Sequence, residues 1–458
     1  MKYTTQSRSL RAVRSSLLPL LMVSGLAVSC SSKTDGSTPV PNGAAGSTSS
    51  GASNGGASNA GGSSAGASTG GTSSGAGGNA IQGVPPVNDR CVDSSTKHTD
   101  GLCYCQPASL TYCPDACADL ATDPNHCGTC ANKCTDTQAC GANKCGATPA
   151  TLVPAATGCG TIRLSLSGAN LYWTEETTNK VKWMAVANGT PTEITNAGST
   201  PKLIQSSGVT AFWVAKGDQS IRKSVAGAAA TILVPGGAGE IDGLTLSADG
   251  KTVYYTYTVR DGARKVVGNP SIFRVADDGT NKTEVGHEDS GVPHALAVEG
   301  MLIAYPTELN GDVDVMTMGA TPAVCASLDS TTAVNANCIR LSQSQQPNYE
   351  GMYLVKGKAY WSSTNAIHGK SATDASAAGF TVGSAEQASQ ITAFSISNDT
   401  VFFAGDEPSG NIYSARLAGN ATTAIARNQV GVSAIVANAT TAYWSTAACT
   451  IMSATLEH

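Results

Sequence analysis

Charge and aromatic rings are scarce in this chain: 13% of its 458 residues are Asp, Glu, Lys or Arg, and 5% are Phe, Trp or Tyr. Such a composition excludes coiled coils and charge-laced helical bundles, and helix-period apolar runs are absent throughout. After residue 28 no apolar stretch approaches the roughly 20 residues a membrane-spanning helix requires. No nucleophile elbow, zinc signature or phosphate loop accompanies its carboxylates and imidazoles. The motifs therefore name no reaction and no ligand.

Glycine and cysteine are plentiful, at 50 and 15 residues. Four cations (Lys2, Arg8, Arg11 and Arg14) precede an apolar run from Leu17 to Val28 and then Ala27-Val28-Ser29-Cys30, which reads as a secretory signal over residues 1–29. Removing those four cations takes the formal charge from −5 to −9, a sign that disfavours DNA and other anionic polymers. Residues 30–90 are mostly Gly, Ser, Ala and Thr, too poor in apolar bulk to offset their ordering entropy, and are expected to be a disordered tether. About 55 such residues span roughly 40 Å root-mean-square. An O-glycosylated stalk would have the same mechanical effect.

Apart from Cys30 there are 14 cysteines, an even number in an exported chain, which favours seven disulfides. Ten lie between Cys91 and Cys145, so residues 91–147 are expected to be a small module held by crosslinks, each typically contributing 2 to 4 kcal/mol. Zinc is the rival reading, because Cys127-x-x-Cys130 has ligand spacing, but no second such pair completes a tetrahedral set.

From residue 148 one pattern recurs: a turn, an apolar residue, then two aromatics, as in Leu171-Tyr172-Trp173, Ala211-Phe212-Trp213 and Val253-Tyr254-Tyr255. It returns at Ala359-Tyr360-Trp361, Val401-Phe402-Phe403 and Ala442-Tyr443-Trp444, with a degenerate copy at Ile303-Ala304-Tyr305. Four of the five Trp residues occupy the last column of that repeat. An alternating strand precedes each copy, and an Ile or Val strand and a Thr-rich strand follow it. Four short strands per 40 to 45 residues is the period of a β-propeller blade.

The fold expected is all-β, a seven-bladed propeller over residues 148–458, with six blades as the alternative. The last copy lacks its outer strand, and Thr148 to Val153 has the composition to supply it, closing the ring from the amino-terminal side. Cys159 and Cys449 then fall in loops on one face of the shared blade and are expected to be bonded. Cys325 and Cys338, inside the fourth copy's long insertion, are expected to pair locally.

Three resemblances attach to these segments. Small residues running into Cys30 resemble the lipobox of bacterial lipoproteins, in which that Cys becomes the acylated first residue, and Ser31 resembles an outer-membrane address. The stretch Asp123-Pro124-Asn125-His126-Cys127-Gly128-Thr129-Cys130, followed by Cys134, Cys140 and Cys145, resembles the repeat of the plant stigma-specific protein family and of bacterial surface lipoproteins. It implies an extracellular module without a known activity. The tandem strands resemble the Tyr-Trp-Thr-Asp propellers, Leu171-Tyr172-Trp173-Thr174-Glu175 most closely, although Glu replaces the Asp and six copies are usual there.

Loops entering the inner strands converge on the axis at one mouth. The residues expected there are Glu240 and Asp242; His287, Glu288 and Asp289 with His294; Tyr349 and Glu350; and Lys202 and Gln390 on the rim. Glu240, Asp242, Glu288 and Asp289 are the candidates for calcium. His287, His294 and Glu350 are the candidates for proton abstraction, against the plainer reading that all are solvated loop charges. The basic loop Arg260 to Lys265 should share that mouth, and Trp183 stands outside the aromatic column.

The function these features imply is a non-enzymatic lipoprotein of the cell envelope, anchored by lipid in the outer membrane or facing the periplasm. Its propeller would present a protein or glycan ligand with a binding face, and nucleic acid is not expected as a partner. An extracellular polysaccharide lyase or hydrolase and an envelope assembly scaffold are the alternatives.

Overall fold

The computed structural model describes residues 95–97 and 103–456, apart from 142, 290, 309–310, 326–333, 336, 343–346, 386–387, 409 and 420. Cys30, Cys91, residues 1–29 expected as a signal and the Gly/Ser-rich stretch lie outside the described residues. Every regular element among those described is a β-strand.

Each sequence copy folds into one antiparallel sheet that runs from an inner strand at the axis to an outer strand at the rim. Blade one is Ile162–Ser167, Asn170–Glu175, Lys180–Ala185 and Thr192–Glu193; blade two is Pro201–Ser207, Thr210–Ala215, Ser220–Val225 and Thr231–Val234. Blade three is Leu244–Leu246, Thr252–Val259, Ser271–Ala276 and Thr283–Glu288; blade four is Ala297–Glu299, Leu302–Pro306, Val313–Thr317 and Cys338–Ser342. Blade five is Pro347–Val355, Lys358–Ser363, Ala366–Ser371 and Phe380–Ser384; blade six is Ile391–Ser397, Thr400–Gly405, Ile412–Arg416 and Thr422–Ala426. Blade seven takes Ile435–Ala437, Thr441–Ser445 and Ile451–Thr455 from the carboxyl end and Ala150–Val153 from the other. The molecule is a seven-bladed β-propeller.

Local chemistry explains the blades. The turn of blade five is Lys356-Gly357 with both φ angles positive, at 53° and 71°, as a two-residue hairpin between right-twisted strands requires. The repeated column, Trp173, Trp213, Tyr255, Tyr305, Trp361, Phe403 and Trp444, lies on the second strands, and no member is more than 3% exposed. The residue after each column member pairs across to a β-branched partner on the third strand: Val181, Ile221, Ile272, Val313, Ile367, Ile412 or Ile451. All seven partners are fully buried. Burial of an aromatic side chain of this size typically stabilises by 3 to 5 kcal/mol over Ala.

A buried indole N–H favours an acceptor, and three tryptophans of the column each find a different one. Trp213 donates to the Ala197 carbonyl at 2.8 Å and Trp444 to Gln429 Oε1 at 2.9 Å. Trp173 donates to Glu175 Oε1 at 3.2 Å, a carboxylate that Lys182 also reaches at 2.7 Å.

The ring is sealed by exchange between the chain ends. Ile451 pairs with Val153, Met452 with Thr151 and Ser453 with Ala150. Cys159 and Cys449, 290 residues apart in sequence, are joined by a disulfide beside that seam. Blade three gains two short strands, Gly239–Glu240 against its second strand and, as a fifth strand beyond the outer one, Ala323–Cys325, which runs parallel to it. Because Cys338 opens the outer strand of blade four, the Cys325–Cys338 disulfide ties these two blades together.

Four disulfides hold the amino-terminal module: Cys105–Cys117, Cys113–Cys130, Cys127–Cys140 and Cys134–Cys145, with Cys103 bonded as well. Cys127, Cys134 and Cys145 place their sulfurs within 4.8 Å of one another, but each is oxidised, so this cluster offers no thiolate to zinc. His126 is buried between Asp123 at 2.8 Å and Asp115 at 2.9 Å, and hydrogen bonding to Asp123 first, then Asp115, raises its pKa against the cost of burial.

The module packs along the outer edge of blade six. Gln138 bridges to Ala426, and Arg427 donates its backbone N–H to Thr137 O, Nε to Gln138 O and Nη2 to Thr135 O. Asn428 reaches Asp136 O at 2.6 Å.

Entropic models put the gain from a crosslink closing so long a loop at about 5 kcal/mol. Cys159→Ser with Cys449→Ser should therefore lower the stability in urea by several kcal/mol while leaving the circular dichroism at 25 °C unchanged. An unaltered urea midpoint would show that strand exchange alone closes the ring.

Candidate functional site

In a four-stranded blade the loop entering the inner strand and the loop joining the second and third strands emerge on the same face. That face gathers the charged groups. Asp242 and Gly243, entering blade three, are pinned by their N–H groups to Thr256 Oγ1 at 3.0 and 2.8 Å. A Cβ on Gly243 would lie 2.0 Å from the His294 carbonyl, so only glycine lets the loops into blades three and four pass this closely. His294 is fixed in turn by its N–H bond to Pro306 O at 3.0 Å.

The side chains there form a chain of alternating charge. Lys202 Nζ lies 3.3 Å from Asp242 Oδ1, and His294 Nε2 lies 3.5 Å from Glu308 Oε2. Arg260 reaches Glu308 at 2.6 Å and Glu240 at 2.9 Å, and Arg264 stands 3.7 Å from Glu240. Burial lowers the His294 pKa, with nearby Lys202 acting the same way, and outweighs Asp242 and Glu308. Burial works against ionisation of Glu308, yet the hydrogen bond and charge of Arg260, with His294, hold its pKa below the usual carboxylate value.

Beneath this crown the inner strands of all seven blades line an axial channel of about 250 Å³. One large apolar residue per blade contributes: Leu164, Ile204, Leu244, Leu296, Met352, Phe394 and Ile435. In six blades this residue is the direct cross-strand partner of the aromatic column, and in blade four Leu296 immediately precedes the Ala297–Ala304 pair.

The structure brings together Lys202, Glu240, Asp242, His294 and Arg260, but not the whole expected set. His287, Glu288 and Asp289 are not beside His294: the outer strand of blade three runs through Glu288, and strand alternation turns that side chain inward. Glu288 is 1% exposed and accepts a hydrogen bond from Tyr305 Oη, which also contacts Cys325 Sγ at 3.2 Å. Nearby, Arg340 makes a two-pronged pair with Asp314 at 3.0 and 3.1 Å and reaches Asp312 at 2.8 Å. Burial, then the charge of Asp314, pushes Glu288 up to about 8; burial raises Asp314 to about 6 despite Arg340.

His287 Nδ1 lies 3.1 Å from Glu284, and Asp289 accepts from Asn269 Nδ2 at 3.0 Å. The four carboxylates considered for calcium thus do not converge. Glu240 and Asp242 face cations while Glu288 and Asp289 lie elsewhere, and among the described residues no three carboxylates or imidazoles cluster at ligand distance. Tyr349 and Glu350 belong to the inner strand of blade five, and their side chains lie outside the described residues. Gln390 N–H bonds Asp406 at 3.0 Å. Trp183 stacks on Tyr172 with ring centroids 6.2 Å apart, a packing role.

Sequence reasoning missed Glu308 and Arg163. Glu308 follows a column aromatic by three residues, in the loop that shares the mouth. Arg163 precedes Leu164, the column partner, and lines the channel. The register of the inner strands against the aromatic column was the signal for it.

No protein-family model and no curated protein matches the chain. Solved structures share its architecture at low identity. A nidogen/laminin complex matches at 19% identity over 49% of this chain and 80% of that one, with a TM-score of 0.38. A catalytically inactive virginiamycin B lyase from Staphylococcus aureus with quinupristin matches at 12% over 68% and 100%, with a TM-score of 0.49. A puromycin-hydrolyzing peptidase from Mycobacterium tuberculosis matches at 13% over 65% and 53%, with a TM-score of 0.47.

A carboxyl group with a raised folded-state pKa favours the native state at low pH and loses that contribution as pH climbs from its unfolded value to its folded one. For Glu288 the window runs from about 4.5 to about 8. Wild type should lose on the order of a few kcal/mol across it, and Glu288→Gln should show a flatter profile in urea titrations from pH 5 to pH 8. Parallel profiles would mean that Glu288 is ionised in the folded protein.

Proposed function

We propose that this protein is an exported, lipid-anchored envelope propeller that binds a protein or glycan ligand through the loops of its charged mouth, without catalysing a reaction on it. The observation that carries the reading is the pairing at that mouth: Lys202 with Asp242, Arg260 with Glu240 and Glu308, and Glu308 with His294. Paired groups of this kind suit recognition of a polar surface, whereas hydrolysis or elimination needs an acid and a base poised toward a bound substrate. The signal, the lipobox-like Ala27-Val28-Ser29-Cys30 and the disulfides support an oxidising, extracytoplasmic address.

Both the anchor and the binding face can be tested. The intact mass of membrane-extracted protein should begin at an acylated Cys30, and Cys30→Ser should move the chain from the detergent phase to the aqueous phase. An unmodified, water-soluble wild type would contradict the anchor. On a glycan array and against envelope proteins, Arg260→Ala should weaken binding tenfold or more with folding intact. Turnover of a polyuronide that His294→Ala abolishes would replace this reading with an enzyme.

A further inference from the structure

The seam between blades three and four is short of positive charge. From residue 283 to residue 355 the only lysine or arginine is Arg340. Its guanidinium holds Asp314 at 3.0 and 3.1 Å and Asp312 at 2.8 Å, so two buried carboxylates already exceed its one charge. Glu288 is the third buried carboxylate of the set, and it faces the Tyr305 hydroxyl rather than a cation. Around it, Asp289 lies 3.9 Å from His287 Nε2 and Glu284 3.1 Å from His287 Nδ1. Lys370 of blade five reaches the outer strand of blade four at the Leu341 carbonyl, at 3.1 Å.

The strand Ala323–Cys325 covers this set. It makes the one parallel pairing among the described strands, three residues long, with Cys325 opposite Glu288. The Asp289 N–H donates to the Cys325 carbonyl at 3.2 Å, and a Cβ on Gly286 would stand 2.7 Å from the Ala323 carbonyl. Beneath the strand a third ionised carboxylate would have neither water nor a cation, so the covered seam holds Glu288 in its neutral form. Uncovered, the same group is hydrated and ionises as a surface carboxylate does. Covering therefore takes up a proton, and linkage makes it weaker as pH rises. Burial, then the charge of Asp314, places the covered value at about 8, so the loss runs from about 4.5 up to there.

We propose that Ala323–Cys325 is a pH-sensitive strap, closed on blade three in acid and released from it as the medium turns alkaline, while the Cys325–Cys338 bond keeps it attached to blade four. Release leaves the outer edge of blade three unpaired, the state in which a sheet edge accepts another strand. The strap lies between outer strands at the rim, so it stands independently of the ligand reading at the mouth.

Native-state hydrogen exchange on the full-length Cys30→Ser chain tests it, with protection corrected for the intrinsic pH dependence of amide exchange. Protection of the Asp289 amide should fall at least about tenfold between pH 5 and pH 8. The Thr256 amide, bonded to the Gly243 carbonyl at 3.1 Å on the inner side of the same blade, should keep its protection. Glu288→Gln, uncharged throughout, should hold Asp289 protection within about threefold over that range, whereas His287→Gln, which removes the adjoining imidazole, should leave the fall intact. Carbon-13 spectra of the side-chain carboxyls should show one glutamate of the wild type still protonated at pH 6. That signal and the wild-type Asp289 profile decide the matter if Glu288→Gln does not fold. Constant Asp289 protection in the wild type, an equal fall in Glu288→Gln, a fall abolished by His287→Gln, a parallel fall at Thr256, or no glutamate protonated at pH 6 would each overturn the proposal.

Discussion

A propeller blade is apolar on both faces, so no blade can be stable beside fewer than two neighbours. Six junctions follow from chain order, and the seventh must be made by residues at opposite ends of the folded chain. The pairing of Ala150–Val153 with Ile451–Thr455 supplies it, and the Cys159–Cys449 bond lies beside the same seam. Every other feature inherits from this closure. The aromatic column is buried because each member has a blade on either side, and the axial channel exists because seven inner strands meet around one axis.

Closure also explains how charge is distributed. A ring of sheets leaves polar side chains two environments: the loops at its faces and the seams between blades. At the mouth, Lys202, Arg260 and their carboxylate partners remain partly hydrated and form ion pairs of modest individual strength. In the seam between blades three and four the same chemistry becomes costly. Glu288, Asp314 and Arg340 are nearly inaccessible there, and the fifth strand of blade three with its Cys325 bond covers them. Breaking one partner of such a set leaves an uncompensated charge.

Much of this architecture was legible in the sequence because its determinants are local and repeated. Trp173, Trp213 and Trp444 announce their strands by the same neighbours each time, and the missing outer strand of the last copy pointed to residues 148–153. The side-chain geography was less legible. His287, Glu288 and Asp289 look like a loop cluster next to His294, but the outer strand of blade three extends through Glu288, buries it and separates the imidazoles. The docking of the disulfide module on blade six through Arg427 and Asn428 had no sequence signal, since hydrogen bonds to backbone carbonyls carry no pattern. Arg163 escaped notice for a related reason: it lines the channel because it sits one residue before Leu164, the cross-strand partner of Trp173.

The ring depends on the amino-terminal strand being a structural part of blade seven. Native-state hydrogen exchange measures this directly. Those amides of residues 150–153 that bond to the third strand of blade seven should be as strongly protected as those of residues 451–455, opening only with the global unfolding of the ring. Rapid exchange at all of residues 150–153 beside slow exchange at 451–455 would mean that the ring is closed by something other than the two chain ends.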